Sequence, residues 1–200
     1  YDKAKEDEDK TNELNEWIPF IDKDSNMPIQ IGRDEDNYNG VHAVIGGRDN
    51  HLLFITYFPK NIAVFDLETL RFVQHDMLPT NDSNACVYDH CFVSRVRRGA
   101  NAIKKHDEMM LFCETIGLSI EYDEDSNAFF FRNLHVCSTL KKFTRYACVF
   151  INDAILFFGG YKFKIGGSKA VYKYSIDEDK WSKCDRVDEA ADRKRKAMAF

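Results

Sequence analysis

Residues 146–184 read YACVFINDAILFFGGYKFKIGGSKAVYKYSIDEDKWSKC, and this stretch decides the fold. It holds four short runs separated by polar turns. Tyr146-Ala147-Cys148-Val149 is followed, after Asn152-Asp153, by Ala154-Ile155-Leu156-Phe157-Phe158, which closes on Gly159-Gly160. Further on, Tyr174 and Trp181 flank the polar segment Ser175-Ile176-Asp177-Glu178-Asp179-Lys180. Runs this short, rich in β-branched and aromatic residues, predict strands. The polar segment predicts a turn whose two legs are anchored by aromatics.

The same pattern occurs twice upstream. Phe65 and Phe72, Tyr122 and Phe129, and Tyr174 and Trp181 are three pairs with identical seven-residue spacing. The second aromatics stand 57 and 52 residues apart, and Trp17 continues the series backward by 55, with Tyr1 as its partner across a longer acidic turn. Each unit begins with an apolar run: His42-Ala43-Val44-Ile45, His90-Cys91-Phe92-Val93 and Tyr146-Ala147-Cys148-Val149. Lys196-Ala197-Met198-Ala199 starts a further one. The second runs are Leu52-Leu53-Phe54-Ile55, Met109-Met110-Leu111-Phe112 and Ala154-Ile155-Leu156-Phe157-Phe158. Continuous apolar strands imply burial on both faces. The pattern is four antiparallel strands per unit, placed at residues 41–74, 89–137 and 145–184, with the second half of a unit at 1–20 and the start of another at 195–200. One four-stranded sheet cannot cover its own two faces, so such units must stack. Period and strand number together predict the blades of a β-propeller.

The residues in this order resemble the kelch repeat: an apolar strand, Gly159-Gly160, then Tyr174 and Trp181. The two upstream units depart from it. They have Ile55-Thr56 and Cys113-Glu114 in place of the diglycine, and Phe72 and Phe129 in place of Trp. Gly46-Gly47 follows the first strand of its unit and reads as a hairpin turn with Arg48-Asp49-Asn50. The resemblance implies an all-β, partial kelch-type propeller acting as a non-catalytic scaffold or adaptor that binds another protein. Two alternatives remain open: a propeller enzyme of the galactose-oxidase type, and a substrate-recruiting subunit of a ubiquitin ligase. Tyr1 in place of Met, and the apolar end Ala197-Met198-Ala199-Phe200, lead to the expectation of a partial chain. Because related propellers have six or seven blades, half a ring with uncovered apolar faces is expected to self-associate.

Composition narrows the function classes. The chain has 200 residues, 44% of them hydrophobic, with a net charge of −5. Residues 1–40 carry 12 acidic and 5 basic side chains, and the remainder 21 and 23. Clustered cations, which nucleic-acid binding requires, are lacking globally. The longest apolar stretch, residues 147–161, is broken by Asn152-Asp153 and is too short to span a bilayer. Neither nucleic acid nor a membrane is therefore expected as a partner. The six cysteines (86, 91, 113, 137, 148 and 184) form no C-x-x-C pair and sit mostly in apolar surroundings. Core packing and a reducing, intracellular, cytoplasmic setting are expected.

No nucleophile motif, phosphate loop or metal-ligand set is present, so no cofactor is expected. Asp123-Glu124-Asp125-Ser126-Asn127 begins like a calcium loop, but Ala128 replaces the turn glycine and Leu134 the bidentate Glu. Asp22-Lys23-Asp24-Ser25-Asn26 fails in the same way, with Met27 and Arg33. His42 and His90 occupy equivalent first-strand positions, which predicts a structural role.

Two loops are candidates for partner binding. Residues 94–107 expand the hairpin after a first strand and carry Arg95, Arg97, Arg98, Lys104 and Lys105. They suit an acidic partner, or else a solvated insertion. Residues 161–168, Tyr161-Lys162-Phe163-Lys164-Ile165-Gly166-Gly167-Ser168, join the second and third strands of the best unit. Tyr161 and Phe163 beside lysines either form an exposed hot spot or pack on a neighbouring blade. The run Arg193-Lys194-Arg195-Lys196 is expected in the polar connection before a following first strand.

Overall fold

The structure, a computed structural model, describes residues 18–22, 24–80, 85–95 and 108–184. Tyr1, Trp17, Arg97, Arg98, Lys104, Lys105 and residues 193–200 lie outside them, and so do nearly all of the partial units expected at 1–20 and 195–200. The chain divides into two units, Tyr1–Asp34 and Glu35–Phe200. In the first, an isolated antiparallel bridge joins Ile21 and Pro28 across a tight turn. The Asp22 carboxylate accepts the Asp24 N–H at 3.0 Å and the Ser25 hydroxyl at 2.9 Å, so its oxygens hold the turn itself.

The second unit is all-β. Its strands are β1 (Asn37–Gly46), β2 (Leu52–Phe58), β3 (Asn61–Asp66), β4 (Arg71–Met77), β5 (Cys91–Arg95), β6 (Glu108–Cys113), β7 (Ile116–Asp123), β8 (Ala128–Asn133), β9 (Thr144–Ile151), β10 (Ala154–Lys162), β11 (Gly166–Gly167), β12 (Val171–Ser175) and β13 (Lys180–Cys184). Sheet I is ordered β1-β2-β3-β4 and sheet II β5-β6-β7-β8. Sheet III is ordered β9-β10-β12-β13, with the short β11 also paired to β10. Every pairing is antiparallel between strands adjacent along the chain, apart from the step over β11. Each sheet is thus a meander.

The sheets stack as the apolar strands require. One core joins Phe54, Ile62 and Val64 of sheet I to Met109, Leu111, Leu118 and Ile120 of sheet II. A second joins Cys91, Met110 and Phe112 of sheet II to Tyr146, Ile155, Phe157 and Tyr174 of sheet III. Sheet II is covered on both faces, so all six residues of β6 are buried, with no alternation. The first strands lie side by side, β1 with β5 and β5 with β9. Consecutive four-stranded meanders, face to face, with their first strands adjacent, are an arrangement compatible with part of a β-propeller.

The repeat is visible in the register. Phe65 stands opposite Phe72, Tyr122 opposite Phe129 and Tyr174 opposite Trp181. Their ring centroids are 5.3, 4.9 and 5.0 Å apart. Cross-strand aromatic pairs of this kind stabilise the outer hairpin of each sheet. Trp181 also donates its indole N–H to the His135 carbonyl at 2.7 Å, tying sheet III to the connection that precedes it.

Candidate functional site

The alternating direction of each meander defines two ends. One end carries the turns after the first and third strands. The other carries the turns after the second strands and the connections between sheets. At the first end the described turns make contacts between sheets. The Arg48 N–H donates to Glu124 at 2.8 Å and its guanidinium pairs with Asp125, joining a turn of sheet I to a turn of sheet II. Arg95, expected in the cationic loop at 94–107, is instead the last residue of β5, directly opposite Glu108. Its guanidinium lies 3.4 Å from Glu108, 3.1 Å from Asp153 and 2.8 Å from Asp177. Its side chain is only 13% exposed. A buried carboxylate and two acidic turns of the neighbouring sheet surround it, so Arg95 links sheets II and III. Glu108 also accepts the Ser119 hydroxyl at 2.8 Å and faces Arg132 at 3.6 Å.

The paired first-strand histidines are structural as well. Their ring centroids lie 4.5 Å apart with the rings tilted by 54°, His42 in β1 and His90 just before β5, and Thr56 Oγ1 lies 2.6 Å from His90 Nε2. Burial, with a smaller effect of His42, lowers the His90 pKa to about 3. Burial likewise lowers that of His42, against a raising influence of Asp89. At the position equivalent to His90, Tyr146 donates its hydroxyl to the Phe112 carbonyl of the preceding sheet at 2.8 Å. No three His, Cys, Asp or Glu side chains gather in a metal-sized cluster among the described residues.

The other end carries the candidate site. The expectation that Gly159-Gly160 ends the second strand is corrected here: β10 runs on through both glycines to Lys162. Gly159 and Gly160 have φ of 70° and 97°, so the strand bends while remaining paired to Thr144 and Gly167 through Tyr161. A Cβ at Gly160 would stand 3.1 Å from Phe143 Cβ, and this close approach together with positive φ calls for glycine. The segment expected to be a loop at 161–168 is therefore a small hairpin. Tyr161 faces Gly167 and Lys162 faces Gly166, which leaves Phe163, Lys164 and Ile165 at the tip. The tip closes by the Ile165 N–H donating to the Lys162 carbonyl at 3.1 Å, with Lys164 and Gly166 at φ of 68° and 94°.

Among the described residues these side chains stand exposed. Phe163 is 75% exposed, Ile165 68% and Tyr161 46%. The Lys164 ammonium stands 5.8 Å from the Phe163 ring centroid, within cation–π range. Residues 161–170 include Lys162, Lys164 and Lys169 and no acidic side chain. The tip thus offers two apolar anchors and a ring in a locally positive setting. Ile165 reads in the sequence only as a member of the loop, and the hairpin register brings it to the tip beside Phe163. At the same end, a cleft of ≈ 350 Å³ is lined by Pro79, Thr80, Ile116, Gly117 and Leu134 among others. Gly117 allows the backbone of Leu134 to pack closely against it, since a Cβ there would approach the Leu134 carbonyl oxygen to 2.7 Å.

No protein-family model matches the chain, and no curated protein matches it. No helix among the described residues is long and apolar enough to cross a membrane.

Proposed function

We propose that this chain is part of a kelch-like propeller that acts as a non-catalytic interaction module, with the hairpin at 161–167 contacting another protein. The observation that supports it is the exposure of Phe163, Ile165 and Tyr161 between lysines on a hairpin that extends β10 of sheet III. Exposed aromatic anchors are what binding hot spots are built from. The lysines suit a partner that sets carboxylates around an apolar pocket. An intracellular, cytoplasmic setting belongs to the same proposal and is supported by six cysteines, none of which forms a disulfide.

The test is quantitative affinity capture with the full-length protein and its Tyr161→Ser/Phe163→Ser/Ile165→Ser variant. Because these side chains are surface groups, the variant keeps its β-sheet circular dichroism. Proteins captured by the parent fall by about tenfold or more, since each tenfold is only about 1.4 kcal/mol. An unchanged capture list at unchanged yield rules the hairpin out as the contact.

A further inference from the structure

The hairpin that extends β10 leaves a strand edge open. Among the described residues β11 pairs with β10 alone. The Ser168 N–H donates to the Gly160 carbonyl at 2.8 Å, so Gly160 and Ser168 form a hydrogen-bonded pair. Bonded and non-bonded pairs alternate along an antiparallel ladder. The next pair, Tyr161 and Gly167, is therefore non-bonded, and Gly167 turns its own N–H and C=O away from β10. The other side of β10 agrees, since the Tyr161 carbonyl turns to β9 and accepts the Thr144 hydroxyl at 3.4 Å. No side chain stands over the two glycines. A Cβ at Gly166 would meet nothing within 4 Å, and one at Gly167 only the Gly160 carbonyl oxygen at 3.9 Å. An edge of this kind is a template for another strand.

The ground beside this edge carries one sign of charge. Residues 134–145, which lead into β9, and residues 161–170 together hold six Lys or Arg and no Asp or Glu. Thr144 stands opposite Tyr161, so the two segments meet side by side. Arg145 is occupied by Asp89 at 3.0 Å, whereas Lys141, Lys164 and Lys169 are exposed. We propose that the hairpin takes an acidic, extended polypeptide segment, which adds as a strand beside Gly166-Gly167 and sets its carboxylates on Lys162, Lys164 and Lys169. This rests on the reading of the hairpin as the partner contact and names the form of the partner. The lysines supply the charge match. Nucleic acid and anionic lipid would meet the same lysines, but neither brings a peptide backbone to pair with Gly167. The apolar side chains of the added segment cover the exposed Phe163 and Ile165 at the tip.

The test is fluorescence anisotropy with the full-length protein and a short labelled peptide that alternates glutamate and valine. Saturable binding is expected, weakened by about tenfold or more in Lys162→Glu/Lys164→Glu. The same variant gains binding of a peptide that alternates lysine and valine, which the parent does not bind, and this gain shows that the variant is folded. The glutamate–valine peptide with every backbone amide N-methylated keeps its charge but cannot donate to a strand edge, and it binds the parent about tenfold or more weakly. Equal binding of the methylated peptide overturns strand addition. Equal or tighter binding of a thymidine oligonucleotide, or of vesicles of phosphatidylcholine and phosphatidylserine, overturns the acidic polypeptide, and so does absence of binding of the glutamate–valine peptide to the parent. The hairpin reading fails separately, when the triple serine variant leaves the capture list unchanged. A capture list that depends on the hairpin, with no binding of the acidic peptide, ends this inference alone.

Discussion

Leu70, Asn127 and Asp179 hold the same place in their turns, five residues after the first aromatic of each pair, and all have positive φ, at 60°, 52° and 48°. Asn and Asp tolerate this left-handed conformation, whereas Leu sets its Cβ against its own carbonyl. The tyrosines reward the polar residues further. Tyr122 donates its hydroxyl to Asn127 at 2.8 Å and Tyr174 donates to Asp179 at 2.7 Å. Phe65 has no hydroxyl to give, so sheet I keeps the turn without the bond. Leu70→Asn is therefore expected to raise stability by about 0.5–1 kcal/mol, part of the left-handed penalty being offset by lost apolar contact. Urea unfolding of the two proteins measures it. A lower midpoint for the variant would mean that the half-buried Leu70 side chain outweighs the backbone strain.

Strand β6 shows how an element obeys both of its neighbours. Met109 and Leu111 face sheet I, and Met110 and Phe112 face sheet III, so an alternating pattern would leave one core polar. Glu108 begins this buried strand and is itself 2% exposed. It is tolerated because Arg95 across the register and the Ser119 hydroxyl satisfy it. Arg95→Met removes a cation 3.4 Å from a buried carboxylate that also accepts the Ser119 hydroxyl and lies 3.6 Å from Arg132. The expected loss is about 2–4 kcal/mol, because a buried charge that loses its cation costs more than the pair contributes. The double variant Arg95→Met/Glu108→Gln recovers a large part of that loss. Equal destabilisation of single and double variants in thermal unfolding would show that Arg95 acts through Asp153 and Asp177 and not through Glu108.

At the scale of the whole molecule, the sheets are joined at faces that hold neutral histidines, and this makes stability depend on pH. The folded pKa of His90 is depressed to about 3, while the unfolded chain has the ordinary value of 6.5. Below pH 6.5 the unfolded state takes up a proton that the folded state refuses, so stability is full above 6.5 and falls steadily towards pH 3. The accumulated loss is at most about 5 kcal/mol. His42 adds in the same direction, less the opposing pull of Asp89. Denaturant unfolding between pH 7.5 and 4.5 should show a steeper decline for the parent than for His90→Gln. Parallel declines would place the acid sensitivity elsewhere. The strands, the meander order and the facing aromatic pairs were legible in the sequence, because hydrophobic period and turn composition act over a few residues and recur at a fixed spacing. The fate of single charged and glycine residues was not. Arg95 reads as loop and becomes a half-buried link between sheets, and Gly159-Gly160 read as a strand end and become a bend within the strand. Local pattern decided which residues form strands, since that depends on neighbours along the chain. Tertiary structure alone decided which side chains meet across the stacked faces and which remain exposed at the hairpin tip, since that depends on how the sheets pack.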